Sequence, residues 1–392
     1  MVKESFPALG RLVGLDSVTE FISHKIEHAP NLLSAAESDR TQGLLSIDDI
    51  DRFFATIKYR TAECFCVDGN NPIDVSEFSS RGVVDSRQAL RLFDKGATIV
   101  LNRVQLYHPP LSDFCKQLSL ELSAPCQANV YLTPPGSKGF NLHYDTHDVF
   151  MAQVAGAKRW RVYDSAIELP LASQGTSARL EATGDPVVEA ELKAGDVLYI
   201  PRGWTHEGAA TASTSLHITF GIYFFTWADA ILETVSNCLL RDRRYRSALP
   251  LDLLRQECDE RAIQSTVSDM LIAIASEVDA RSLRRTLEEQ FNTQCQASTA
   301  GLLKQLVLAR DVSDRTKVRA SAKANSTIEL DGTLVIDVPG GRLRIKDGGR
   351  EAALACLSGR TTQVGSLAAW LSPDDRIGLV QRLISAEIVE VV

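Results

Sequence analysis

The rhythm of apolar and polar positions changes twice along this chain. Up to about residue 60 the apolar positions recur at helical spacing. DSVTEFISHKIEHAP carries a stripe of Val18, Phe21, Ile22 and Ile26, with Asp16 or Ser17 as cap and Pro30 as the stop. SIDDIDRFFATI predicts a second helix, capped by Ser46 and acidic in its first turn. From 61 to 135 short strands alternate with helix: TAECFCV and ATIVLNRV read as strands, and DSRQALRLFDKG as a helix ended by Gly96. HPPLSDFCKQLSLELSA is a helix entered through prolines. QANVYLTP is a strand with Asn129, Tyr131 and Thr133 on one face and Val130 and Leu132 on the other. A polar face on so apolar a strand predicts that it lines a polar cavity. Residues 136–226 are strand-rich, with Gly and Pro turns and no long helix, which predicts a sandwich or barrel.

The second change comes at Trp227. WADAILETVSNCLLRDRRYRSALP, LDLLRQECDERAIQSTVSDMLIAIASEV and ARSLRRTLEEQFNTQCQASTAGLLKQLVLA predict helices with wide apolar faces. Such faces suit either packing within one subunit or an oligomer. From about residue 311, STIELDGTLVIDVPGGRLRIKDG predicts strands joined by DG and GG turns. REAALACLSGR, QVGSLAAWL and PDDRIGLVQRLISAEIVEVV predict helices and a closing strand.

Length adds that 392 residues exceed one ordinary domain, so two or three are expected. A 44% hydrophobic and 23% charged composition is that of a soluble globular protein, and a net charge of −8 argues against a general nucleic-acid binder. Residues 311–392 hold eleven Lys/Arg and eleven Asp/Glu, so a DNA-binding role is not expected there either. The eight cysteines include no zinc-type CxxC pair; Cys64 and Cys66 form a lone CxC and are read as buried, reduced thiols. No apolar run reaches about 18 residues and no signal-type start occurs, so a cytoplasmic protein without a membrane span is expected.

The chemistry concentrates in NLHYDTHDVFMAQVAGAKRWRVY, residues 141–163. In an extended segment His143 and Asp145 point to one face. His206 follows in GDVLYIPRGWTHEG. Two histidines and one carboxylate leave three positions open on an octahedral metal, as in non-heme Fe(II) oxygenases; catalytic zinc usually takes three protein ligands and a water in a tetrahedron. His147 is a rival ligand, since Asp145 and His147 are also two apart. His24 and His28, four apart on a predicted helix, lack a third ligand nearby and are read as solvent-facing. In KRWRVYD, Lys158, Trp160 and Val162 share the inward face, which buries Lys158, and a buried lysine needs an anionic partner. Arg159 as the anion holder, or a structural salt bridge at Lys158, is the bland alternative.

HYDTHDVFMAQVAGAKRW, followed by GDVLYIPRGWTHEG and SLHITFG, resembles the JmjC-type, cupin-like 2-oxoglutarate oxygenases, and within them the ribosomal oxygenases. The resemblance is strong over about Ala124–Thr226 and weaker elsewhere. It implies an α+β protein with a double-stranded β-helix (jelly-roll) core and N-terminal helices over 1–230. A helical dimerisation region over 231–310 and a winged-helix-like domain over 311–392 follow. It implies Fe(II) held by His143, Asp145 and His206, with 2-oxoglutarate and O2 as co-substrates. The distal carboxylate of 2-oxoglutarate would meet Lys158 and Tyr131. Asn129 faces the same cavity, and His217 either touches the co-substrate, orients a ligand or is a hydrogen-bonded core histidine. His147 becomes a residue at the cavity mouth that touches substrate. Phe140 stands where asparaginyl hydroxylases place a small hydroxyl residue, which favours the ribosomal-oxygenase branch. The implied reaction hydroxylates a His or Arg side chain of a protein or peptide, a ribosomal protein or a biosynthetic precursor among the candidates. N-methyl-lysine demethylation and a non-catalytic cupin-like binding protein are the alternatives.

Overall fold

A computed structural model describes residues 6–35, 40–69, 71–175, 180–182, 184–250, 253, 259–295, 301–321, 325–329, 331–338, 341–346 and 348–392. The chain divides into two compact units, residues 1–295 and 296–392.

The first unit opens with helices α1 (Pro7–Val13) and α2 (Val18–His24) and strand β1 (Asn31–Leu33). The predicted helix into Pro30 ends instead at His24, and turns carry the chain on to Glu27, whose φ is 63°. His24 and His28 are exposed and no longer share a helix. Helix α3 (Ile47–Thr56) has the predicted Ser46 cap, completed by Asp49 as a capping box. Then come β2 (Cys64–Asp68), β3 (Asn71–Pro72), β4 (Ser79–Ser80), β5 (Val83–Val84), α4 (Ser86–Asp94), β6 (Thr98–Leu101) and α5 (Pro109–Leu122).

The strand-rich middle supplies β7 (Cys126–Thr133), β8 (Lys138–His143), β9 (Asp148–Ala155), β10 (Ala157–Ser165), β11 (Val188–Lys193), β12 (Val197–Ile200), β13 (Trp204–Ala210) and β14 (Ser215–Ile222). They form two antiparallel sheets. One has the order β1-β12-β9-β14-β7-β6-β2-β3 and the other β11-β10-β13-β8. The larger sheet is buried on both faces. Ala128, Val130, Leu132, Phe150, Ala152, Leu216, Ile218 and Phe220 point outward into a core shared with the N-terminal helices. Their alternates, including Asn129, Tyr131, His217 and Thr219, face the space between the sheets. The smaller sheet turns its other face to solvent, which explains why β10 alternates so cleanly: Arg159 and Arg161 are exposed, and Lys158, Trp160 and Val162 are buried. An apolar plug of Val149, Met151, Trp160, Val162, Leu192, Leu198 and Ile200 joins the two sheets.

Helices α6 (Trp227–Arg241), α7 (Glu260–Ser276) and α8 (Ala280–Gln294) complete this unit. They expose Trp227, Ile231, Leu232, Leu240, Leu271 and Ile272. Most of LDLLRQECDE, predicted as helix, lies outside the described residues. No helix among the described residues is long and apolar enough to cross a membrane.

The second unit contains α9 (Leu302–Ala309), β15 (Lys317–Ala320), β16 (Asn325–Ile328), β17 (Leu334–Val338), β18 (Gly341–Ile345), α10 (Gly348–Cys356), β19 (Thr362–Gln363), α11 (Pro373–Ser385) and β20 (Val389–Val391). Its three-stranded sheets are β19-β15-β20 and β16-β17-β18. QVGSLAAWL, predicted as an α-helix, makes a 3-10 turn over Val364–Ala369. Gly365 sits against the Asp314 backbone oxygen, 2.9 Å from where a Cβ would be, so this segment follows the neighbouring loop. A core of Val318, Leu334, Ile336, Ala352, Leu367, Leu383 and Ile388 holds the unit together.

Candidate metal and co-substrate site

His143 ends β8 and His206 lies in β13, where the two are direct cross-strand partners. Their rings stand 4.4 Å apart. The pairing then slips, with Gly208 opposite Phe140, so β8 carries one extra residue beside the site; such bulges re-aim side chains. Asp145 is not in the strand, as its spacing from His143 predicts, but in the loop beyond it. It is held there by the Gly203 N–H, which donates to its backbone oxygen at 2.9 Å. The donor atoms of His143, Asp145 and His206 all lie within 4.8 Å of one another, and no other such trio occurs among the described residues. His147 does not join them: it stacks on Tyr223 at 4.5 Å.

Both imidazoles have fixed tautomers. His143 Nδ1 lies 2.8 Å from the Asn141 carbonyl and His206 Nδ1 lies 3.0 Å from that of Trp204. A carbonyl only accepts, so each Nδ1 donates and each Nε2 is left as the atom able to ligate a metal. His206 Nε2 is buried, 3.6 Å from Asp145 Oδ2, and makes no hydrogen bond. Burial pushes the His206 imidazolium down to about 4, so the ring is neutral. Burial alone would raise the Asp145 carboxyl, but the facing imidazoles of His147, His206 and His143 hold it below its ordinary value. A neutral His206 imidazole, a second imidazole and an ionised carboxylate are the donor set a divalent cation requires.

The cavity wall is a closed circuit of rings. Tyr131 stacks on His217 at 4.8 Å and meets Phe140 edge-on at 5.9 Å; Phe140 contacts His143, and His206 and His217 both contact Trp160. Lys158 enters beneath this circuit with 2% of its surface exposed. Its Nζ lies 4.8 Å from the centre of Trp160, and no ion pair to it occurs among the described residues. Burial pushes its ammonium down to about 7. Small residues make the room: a Cβ at Gly139 would lie 3.0 Å from Nζ, and one at Gly208 would lie 2.9 Å from both Cε and the Trp160 ring. Burial, with Lys158 second, drives His217 well below its ordinary value, and its buried Nδ1 has no partner. Burial raises the Tyr131 hydroxyl, and Asn129 hydrogen-bonds it. Asn129 Oδ1 is otherwise occupied, accepting from the Arg103 N–H and from Gln127. Arg159 is excluded from the cavity, exposed and 3.8 Å from Glu191.

Strand alternation places Trp160 inward, but sequence reasoning did not single out Gly139 or Gly208 as cavity-shaping residues. Nor did it single out Arg202 and Asp148, a buried pair at 3.2 Å behind the donors. The signals available were glycines inside otherwise regular strands and charged residues flanking the ligand motifs.

A double-stranded β-helix with a two-histidine, one-carboxylate donor set and a buried cation beside it defines a JmjC-type cupin. Residues 104–230 match the JmjC domain family, and the chain carries a JmjC domain there. That domain is homologous to those of the ribosomal oxygenases. The chain is 37% identical over 169 residues to the bifunctional lysine-specific demethylase and histidyl-hydroxylase NO66 of Drosophila persimilis, covering 42% of this chain and 24% of the relative. It is 30% identical over 253 residues to ribosomal oxygenase 1 of Danio rerio, covering 60% and 45%. It is 26% identical over 307 residues to ribosomal oxygenase 2 of Rattus norvegicus, covering 71% and 65%. The chain thus spans less than two thirds of the length of each. Among solved structures, the Escherichia coli ribosomal oxygenase YcfD has the same fold, with a TM-score of 0.52 and 15% identity over 95% of this chain and 98% of that one. A second structure of that protein, solved with cobalt and 2-oxoglutarate, gives a TM-score of 0.51 at 14% identity over 95% and 98%.

Proposed function

We propose that this protein is an Fe(II)- and 2-oxoglutarate-dependent oxygenase that hydroxylates an amino-acid side chain of a protein or peptide. The carrying observation is the conjunction, in one ring-walled cavity, of the His143/Asp145/His206 donors with a buried Lys158 that has no ion-pair partner among the described residues. The residues fit the cofactors on their own chemistry. His206 Nε2 is an orphaned buried acceptor, which a metal would satisfy. Lys158 is a buried amine whose charge burial opposes and which has no anionic partner among the described residues; a dicarboxylate would hold it in its charged form.

His143, Asp145 and His206 would hold the metal. Lys158 and the Tyr131 hydroxyl hold the distal carboxylate of the co-substrate, with His217 stacked behind Tyr131 and Asn129 steadying its hydroxyl. When bound, iron and 2-oxoglutarate supply an O2-dependent oxidant able to act on unactivated C–H bonds. The chain's own task is to place one such bond, and Trp160, Phe140 and Tyr131 keep water from the rest of the cavity. His147 and Tyr223, stacked beside Asp145, form the platform for the incoming side chain. Histidine or arginine is the favoured target, and a ribosomal protein the favoured carrier, because the relatives are named ribosomal oxygenases and a histidyl-hydroxylase. One relative's name also includes a lysine-specific demethylase, and the same chemistry on an N-methyl group would remove it.

The functional organisation runs as a catalytic domain over 1–230, a helical dimerisation region over 231–310 and a winged-helix-like domain over 311–392. The exposed apolar side chains of α6 and α7 support a homodimer. The described cysteines are all free, in keeping with a reducing, cytoplasmic setting.

The test is succinate formation from 2-oxoglutarate by protein loaded with Fe(II) under anaerobic conditions and then exposed to O2, with and without ribosomal proteins. Succinate stimulated by one protein, which gains the mass of one oxygen atom, and abolished in His143→Ala, is expected. Loss of a methyl group from the substrate would instead identify a demethylase. No succinate under any of these conditions overturns the reading.

A further inference from the structure

The metal donors come from two segments, residues 143–145 and the stretch leading to His206, and a four-residue circuit ties those segments together from behind. Asp148 is fully buried at the start of β9. Its Oδ1 accepts from the backbone N–H and the Nη1 of Arg202, each at 3.2 Å, and its Oδ2 accepts from the Tyr199 hydroxyl. The other arm of the Arg202 guanidinium reaches Glu27, 2.6 Å away. Glu27 closes the circuit by donating its backbone N–H to the Tyr199 hydroxyl at 2.9 Å. The next peptide after Arg202 is the one whose N–H holds the Asp145 backbone oxygen. Only glycine fits at that point: Gly203 has φ 87°, and a Cβ there would lie 1.9 Å from the Ile167 oxygen.

Glu27 belongs to the N-terminal arm, outside the jelly roll, and adopts the left-handed conformation that costs a non-glycine residue energy. Neither charge neutralisation nor helix continuation requires it there. Asp148 already has one cation, and α2 has ended at His24. What the conformation achieves is to direct its N–H at Tyr199 and its carboxylate at Arg202 at once.

We infer that Glu27 is a positioning residue for the metal site, acting through Arg202 to fix the Asp145 backbone and the approach to His206. The inference rests on the metal reading given above. Removing the Glu27 carboxylate frees one arm of the guanidinium, which then divides itself between Asp148 and solvent. Partners outside the coordination shell typically carry 10- to 100-fold in metal affinity.

The test uses Co(II) in place of iron on the full chain, with affinity and the visible absorption bands of the bound ion as readouts, beside the melting temperature of the metal-free protein. Glu27→Gln keeps the side chain's shape and loses its charge; Arg202→Lys keeps the charge but lacks the planar fork whose two arms meet Glu27 and Asp148. Both are expected to weaken Co(II) binding by about tenfold or more and to shift its bands. In Glu27→Gln, whose carboxylate is partly solvated, the melting temperature is expected to stay close to that of the wild type. Wild-type affinity and bands in Glu27→Gln overturn the inference, whether or not Arg202→Lys folds. Wild-type protein that binds no Co(II), or binds it as well after His143→Ala, overturns the metal reading and this inference with it.

Discussion

Lys158 and His206 are two residues whose ionisation the cavity shifts, and each makes the ligand-free fold more stable as pH rises, in a different window. Lys158 has an ordinary pKa near 10.5 and about 7 in the fold, because burial opposes its charge. The folded ligand-free protein therefore binds fewer protons than the unfolded chain between those values. The burial penalty is fully present below pH 7 and fades as pH rises toward 10.5, with an upper bound of about 4–5 kcal/mol. Lys158→Met is thus expected to raise the melting temperature of ligand-free protein at pH 6, to do so less at pH 9, and to abolish 2-oxoglutarate binding. Calorimetry on both variants decides it. Wild-type binding of 2-oxoglutarate at pH 8 should also take up protons, seen as a binding heat that depends on the buffer. His206 falls from 6.5 to about 4 through burial, so the unfolded chain takes up a proton that the fold refuses. Stability of metal-free protein is expected to drop as pH falls from 6.5 to 4, by roughly 3 kcal/mol, in chelator-treated thermal melts.

Strands explain why some of this could be read in advance and some could not. The smaller sheet has one wet face, so β10 wrote its orientation into the sequence and placed Lys158 inward. β7 did the same with Asn129, Tyr131 and Thr133, because its two faces meet a polar cavity and an apolar helical layer. Asp145 lies beside His143, as the spacing predicts, but for a different reason. Extended spacing predicts a shared face, whereas the loop is bent into place by a hydrogen bond from Gly203, far along the chain. The early end of α2 at His24 and the 3-10 turn at Val364–Ala369 arise from tertiary partners that no local pattern encodes. The circuit of Glu27, Asp148, Tyr199 and Arg202 was invisible for the same reason. Gly208 shows the limit from the other side: a strand glycine looks like a weakness, but here it is the space that Trp160 and Lys158 occupy. Gly208→Val is expected to cost about 1–3 kcal/mol in denaturant unfolding and to weaken 2-oxoglutarate binding by displacing Lys158.

The molecule as a whole presents an apolar surface on α6 and α7 and a charge-balanced C-terminal segment. Trp227 and Leu240 are 84% and 71% exposed, an apolar surface that the proposed homodimer would cover. Leu232→Asp combined with Leu240→Asp is expected to convert a dimer to a monomer in light scattering while leaving Co(II) binding intact. With eleven basic and eleven acidic residues over 311–392, no salt-sensitive DNA association is expected in a mobility-shift assay. The cross-strand pairing of His143 with His206 has a reach beyond coordination. Side chains on paired strands change face with every one-residue slip, so a misaligned β8 would turn one imidazole away from the other. On the proposed metal reading, a bound ion would therefore act as a proofreader of strand alignment: it would bind tightly only to chains that have zipped β8 and β13 correctly, and would draw the population toward them.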